Sequence, residues 1–268
     1  AALRFAQGNV YHISMEAKST ITQQAMGQTI DFNIEATGNH SYRVTNAAGD
    51  LTTLHHEVQR ILFSFDGMGQ KRSFDSDSEK DMNGPFGKTF REIREKSFDM
   101  IVDPTGRVLM AFPEKIDIPE PDNRMAFINN MLTEMLDIVQ PPEKGSASFF
   151  SLLPPNEADT GYSWSDTVKN TSGLFYHQYR ISSITDTTVQ IAYTGHSVTV
   201  TKTEMMGNQA TTTMNNKSTG SIITDRLSGI VREKNIVTEG TGNMESAFGT
   251  LPVQAKTTQA IKVNPVED

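Results

Sequence analysis

Six histidines carry most of the acid–base and metal-binding capacity of this sequence near neutral pH: His12, His40, His55, His56, His177 and His196. His55 and His56 are neighbours. Adjacent residues point to opposite faces of a strand and share no face of a helix, so the two do not readily chelate one ion. His40 and His177 hold matching places in HSYRVT (40–45) and HQYRIS (177–182), each within a His-x-Tyr-Arg run. A histidine on a strand surface is the expectation for both, although the match admits a pseudo-symmetric polar pair. Asp75, Asp77, Glu79 and Asp81 alternate as calcium ligands do. Lys80 stands where an EF-hand loop needs Gly and Phe86 where it needs its closing Glu, so a solvated acidic loop is expected instead.

Nucleophilic chemistry is no better provided for. Gly161-Tyr162-Ser163-Trp164-Ser165 comes nearest to a nucleophile elbow and lacks its second Gly. There is no phosphate-cradling loop and no dinucleotide fingerprint. No spacing of two carboxylates marks glycoside chemistry. The sequence contains no Cys, so it holds no disulfide frame, thiolate zinc site or Cys nucleophile. The expectation is a chain that is not an enzyme, with no catalytic residue, no cofactor and no metal ligand to name.

What remains is apolar surface, and one stretch concentrates it. PDNRMAFINNMLTEMLDIVQPP (121–142) reads as a long central helix. Asp122 or Asn123 caps its start, and Pro141-Pro142 ends it. Its apolar residues cover about half the circumference at about 100° per residue, a stripe wide enough for a concave partner. Met125, Ile128, Met131, Leu132 and Met135, together with Trp164, form the candidate apolar ligand surface. The first role of the three methionines is to fill gaps in a core, and that of Trp164, the one Trp, is to pack against the helix.

The elements around this helix read as strands. Ile30, Phe32 and Ile34 alternate with polar residues, the period of a half-buried strand. Met26-Gly27 makes a hairpin turn, and Gly38-Asn39 reads as another. The stretch 50–65 fits both a helix and a strand, and its neighbourhood favours strand. Residues 66–88 read as a loop and 88–96 as a short helical turn. Asp103-Pro104-Thr105-Gly106 is the clearest hairpin turn, with Pro and Gly where such turns need them. Strands follow at 174–183, 187–194, 196–205, 209–217, 219–225, 229–237 and 253–263. Turns are expected between them at Gly195, Gly220 and Gly240–Gly242, among other places.

The two halves resemble each other in order. GNVYHI (8–13) matches GYSWSD (161–166), HSYRVT matches HQYRIS, and SFDMIVDPTGRV (97–108) matches TGSIITDRLSGIV (219–231). The expected fold is therefore mainly β. It is a curved antiparallel sheet, an incomplete barrel of two similar units (1–112 and 161–268), wrapping the helix at 121–142 in a single domain.

The Gly-x-x-aromatic opening, the Met-Gly-Gln hairpin, Phe74-Asp75-Ser76, the Asp-Pro-Thr-Gly-Arg-Val hairpin and LLPPNEADTGYSW together resemble a domain-of-unknown-function family. Its members are exported and lipid-anchored envelope proteins of Gram-negative bacteria. The pattern is also similar to the lipoprotein-carrier half-barrels. Gly161-Tyr162-Ser163-Trp164 departs from the family's usual Gly-Asp-Ser-Trp. The resemblance implies export to the periplasm or the cell envelope, assigns no activity to any residue, and fits an Ala-Ala start that looks like a trimmed exported chain and leaves room for a lipid anchor upstream.

Composition agrees. The net charge is −8 over 268 residues, with no basic cluster, which argues against nucleic acid and anionic membrane surfaces. No run of 18 apolar residues spans a membrane. The function expected is binding or carriage of a lipid or other apolar ligand; the alternative is a structural subunit docking another envelope protein.

Overall fold

The computed structural model describes residues 2–117, 139–152, 154, 157–205 and 207–266. The expected central helix, with Met125, Ile128, Met131, Leu132 and Met135, lies outside the described residues apart from its last few positions. There, Val139 is buried, and the Gln140 side chain bonds both backbone groups of Ile116.

The chain is mainly β. Its strands are β1 (Val10–Ala25), β2 (Gln28–Asn46), β3 (Thr52–Gly67), β4 (Gln70–Asp75), β5 (Phe98–Val102) and β6 (Val108–Phe112), then β7 (Ser163–Asn170), β8 (Gly173–Ile184), β9 (Thr188–Met205), β10 (Asn208–Asp225), β11 (Val231–Ser246) and β12 (Gly249–Val266). All belong to one antiparallel sheet, curved and not closed into a barrel. Its order is β6-β5-β3-β2-β1-β12-β11-β10-β9-β8-β7, with β4 beside β3. The two halves meet along β1 and β12, from Val10 opposite Val266 to Gln23 opposite Val253. Two helices are described, α1 (Glu79–Met82) and α2 (Gly87–Glu95).

The stretch 50–65 is strand, as its neighbourhood suggested. The expected loop 66–88 instead contains β4 and α1. Three of the four alternating acidic residues are engaged within the chain: Arg60 pairs with Asp75 and Asp77, Arg94 pairs with Asp77, and Asp81 accepts the backbone N–H of Asp75.

The expected turns at Gly38-Asn39, Gly195, Gly220 and Gly240–Gly242 are not turns. Each lies inside a strand of 16 to 19 residues; at Gly38, Gly195 and Gly220 two expected strands are one, and at Gly240–Gly242 one expected strand runs on. The reason is curvature. A Cβ on Gly220 would stand 2.1 Å from the Asn235 carbonyl oxygen, and one on Gly242 would stand 1.9 Å from that of Thr213. Only Gly lets neighbouring backbones approach so closely where a sheet bends.

Equivalent places in the two halves share hydrogen bonds. Gly8 and Gly161 take φ of +90° and +92°. Gly8 donates to the Val44 carbonyl at 2.9 Å and Gly161 to that of Ile181 at 2.8 Å. Val44 and Ile181 in turn each donate to the residue after that glycine, Asn9 and Tyr162, at 2.9 Å. Tyr11, Tyr42 and His56 align across β1–β3, and Trp164, Tyr179 and Tyr193 align across β7–β9.

Three apolar clusters fill parts of the concave side. At one end, Phe150, Leu152, Leu3 and Ile116 stopper the sheet over Ile13, Val44, Leu54, Met100 and Val263. Phe150 meets Phe5, Tyr11 and Tyr42 edge-on. Beside β3, α2 lays Phe90 and Ile93 on Phe63 and Phe74, with the Phe74 and Phe90 rings stacked at 4.2 Å. At the opposite end of the long strands, Ala210, Met214, Met244 and Val253 form a smaller cluster.

Candidate functional site

Strand alternation sorts the side chains of the long strands into two faces. The convex face of β1, β2 and β9–β12 takes the charges, among them Glu16, Lys18, Glu35, Lys217, Glu239 and Lys256. The concave face takes apolar residues, hydroxyls and amides. Between the stopper, α2 and the far cluster this face stays open as a groove of about 710 Å³, reaching from β1 and β2 across to β8.

Its floor is a row in register of four hydroxyl residues, a Gly and a His: Ser19, Thr257, Thr238, Ser218, Gly195 and His177. Their four hydroxyls form two hydrogen-bonded pairs. Ser19 and Thr257 lie 2.5 Å apart, and Ser218 and Thr238 2.7 Å apart. In the next row, the Asn216 amide donates to both Ser197 and Thr199 at 3.2 Å. Each pair makes one hydrogen bond, so the accepting hydroxyl keeps a proton to donate, while the threonine methyls add apolar surface to the row. Met15, Ala17, Ile21, Met214 and Val253 supply apolar walls.

Away from Asp166, which faces His177 from β7, one charge stands on this face. Among the described concave side chains of β1, β2 and β9–β12, Lys234 alone is ionic. Arg232, at a bulge in β11, is exposed and paired with Asp225. Lys234 shares a row with Met15, Ile261 and Ile222, and its ammonium lies 4.9 Å from the centre of the Phe149 ring. Burial brings its pKa down from the usual lysine value to about 8, so the ammonium still prevails at neutral pH. Diagonally across on β12, the Gln259 amide donates to the Met15 sulfur at 3.4 Å, a weak acceptor.

Trp164 is half-buried and stacks on Tyr179, ring centres 5.3 Å apart, at the open β7 edge. It packs against the stoppered cluster, in the same row of the sheet as Tyr193, which lines the groove. The other proposed ligand-surface residues, Met125, Ile128, Met131, Leu132 and Met135, lie outside the described residues.

The histidines divide differently from expectation. His40 is buried, not on a strand surface, and its Nδ1 lies 2.8 Å from Nε2 of His56, which is also buried. The His56 ring stacks on Phe98 with centres 4.5 Å apart, and Tyr42 lies beside both imidazoles. Burial lowers the pKa of His40 to about 4. Burial, then the nearby His40 and His55, lowers that of His56 to about 3. Each is therefore neutral at pH 7, one imidazole donating to the other. This pair follows from β2 and β3 register, where Tyr42 faces His56, a relation invisible along the chain. His177 differs from its sequence counterpart: it lines the groove and meets Asp166 at 2.6 Å. His55 lies between Asp99 and Glu57, away from His56, as alternation requires. Among the described residues no three His, Asp or Glu side chains gather to hold a metal ion. None of the described helices is long and apolar enough to cross a membrane.

No protein-family model matches the chain, and no curated protein matches it. Among solved structures, the chain is similar to lipovitellin, solved for its lipid–protein interactions, with a TM-score of 0.46 and 12% identity over 99% of this chain. It spans about a quarter of lipovitellin's length, 26%. It is also similar to an outer membrane channel from Pseudomonas putida F1, with a TM-score of 0.28 and 6% identity over 98% of each chain. The translocator domain of the autotransporter NalP from Neisseria meningitidis gives a TM-score of 0.23 and 7% identity, over 97% of this chain and 89% of that one. At these scores the likenesses say nothing of chemistry, ligand or location.

Proposed function

We propose that this is a non-enzymatic exported envelope protein that binds or carries an apolar ligand on the concave face of its sheet. The observation that carries the reading is the groove of about 710 Å³, whose hydroxyls bond to one another and whose walls are apolar. A groove of this size with apolar walls matches the dimensions of a lipid or small-molecule site, and its floor adds hydroxyls and amides. The resemblance to exported, lipid-anchored envelope proteins supports the location. The neutral His40–His56 pair supports a non-enzymatic reading, because each ring is buried and spends a nitrogen on the other.

Native mass spectrometry of protein purified without detergent, followed by solvent extraction, tests the proposal. An apolar adduct released on denaturation is expected. Thr238→Phe, which puts a ring in the middle of the hydroxyl row, should remove the adduct while leaving the circular dichroism spectrum unchanged. Bare mass in the parent protein, with nothing extracted, would overturn the reading and favour the alternative of a partner-docking subunit. The open β7 edge, with Ser163 and Ser165–Asn170 exposed, supplies a surface for that alternative.

A further inference from the structure

We infer that the groove takes a single-chain amphiphile with an anionic head, the head held by Lys234 and Gln259 and the tail laid along the strands toward Met214 and Val253. The inference rests on the groove reading above and adds the ligand's charge and direction.

Three observations carry it. First, the concave face of β1, β2 and β9–β12 is cleared of charge except at one described position, and that position is a cation in a chain of net charge −8. Second, that cation has no hydrogen-bond or ion-pair partner among the described residues; its ammonium lies over the Phe149 ring. A half-buried ammonium without a counter-charge loses part of its hydration, and an anion supplied by a ligand offsets that loss. Third, the nearest groove-lining amide, that of Gln259, is engaged only by a thioether. It can turn its N–H to a better acceptor. An ammonium and a carboxamide on adjacent strands together suit a carboxylate or phosphate oxygen.

Direction follows from what flanks the lysine. Behind it lies the filled stopper of Phe149, Phe150 and Leu152, which leaves no room for a chain. Ahead of it, a row of paired hydroxyls leads to the cluster of Met214, Met244 and Val253. From Lys234 to Gly242 along β11 is about 26 Å at about 3.3 Å per residue, the reach of a long acyl chain.

The test compares palmitate, lysophosphatidate of the same chain length and hexadecanol, each competing for a fluorescent polyene probe in the parent protein, Lys234→Met and Lys234→Gln. The parent should bind both anions about tenfold or more tightly than the alcohol. Both variants should bind all three alike. The tighter of the two anions identifies the head as carboxylate or phosphate. Equal binding of anions and alcohol by the parent, or discrimination that survives in the variants, overturns the inference while leaving the groove reading intact. Failure of all three to bind overturns both. Should the variants not fold, reductive ¹³C-methylation of the parent gives a second readout. The Lys234 dimethylamine resonance must shift with palmitate and stay unmoved with hexadecanol; a resonance indifferent to both refutes the assignment of the head.

Discussion

His40 and His56 are kept uncharged by the packing around them, and that has a sign in acid. Their folded pKa values, about 4 and about 3, lie below the ordinary histidine value of 6.5. The unfolded chain therefore binds protons more readily than the folded one between those limits. Stability is fully present above pH 6.5 and is lost as pH falls toward 4 and then 3, at on the order of 1.4 kcal/mol per pKa unit of displacement. Chemical denaturation measured from pH 7 to pH 4 should show this loss, and His56→Phe should flatten it even if the variant is less stable at pH 7. An unchanged slope in the variant would place the acid sensitivity elsewhere. The residue scale is also where sequence reading reached least far. The alternation of His55 and His56 was legible, because it depends on neighbours alone. The pairing of His40 with His56, sixteen positions away, depends on a register shift between Asn39 and His40 that no local pattern announces.

Strands were legible as a class, but their lengths were not. Gly is ordinarily a sign of a turn, and at Gly27 and Gly106, with φ of +75° and +84°, it is one. At Gly220 and Gly242 the same residue serves a close approach of two backbones on the inside of a bend, and the strand runs on. In the structure, burial keeps its phase through Met214, Asn216, Ser218, Gly220 and Ile222, as along one strand. The sequence carries no such alternation there, because positions 215–221 hold only polar residues and a Gly. Gly242→Ala must force β10 and β11 apart, so it should cost about 2 kcal/mol or more in urea denaturation. Thr241→Ala, one residue away on the convex side, should stay within about 0.5 kcal/mol of the parent. Equal effects would mean that the bend tolerates a side chain. The elements around the candidate site were thus half readable: the alternation of Ile30, Phe32 and Ile34 with polar residues is in the sequence, while the groove itself depends on curvature.

For the molecule as a whole, the join between the halves matters most. Met15 and Ile261 on the concave side, and Ser14 and Lys262 on the convex side, pair across it. Because the sheet passes through this join without a break, urea unfolding should be one transition, with Trp164 fluorescence and far-ultraviolet circular dichroism coinciding. Two separated transitions would show the halves standing independently. The join also has a consequence for how the protein is made. Its two strands lie at opposite ends of the sequence, and during synthesis β12 follows every strand from β1 to β11. Until it emerges, β1 and β11 each wait with an unsatisfied edge facing the gap. The sheet therefore completes only after translation has passed its last strand, by an insertion that must bridge about 240 positions. Until that insertion is made, the two half-sheets present unpaired strand edges open to pairing with other chains.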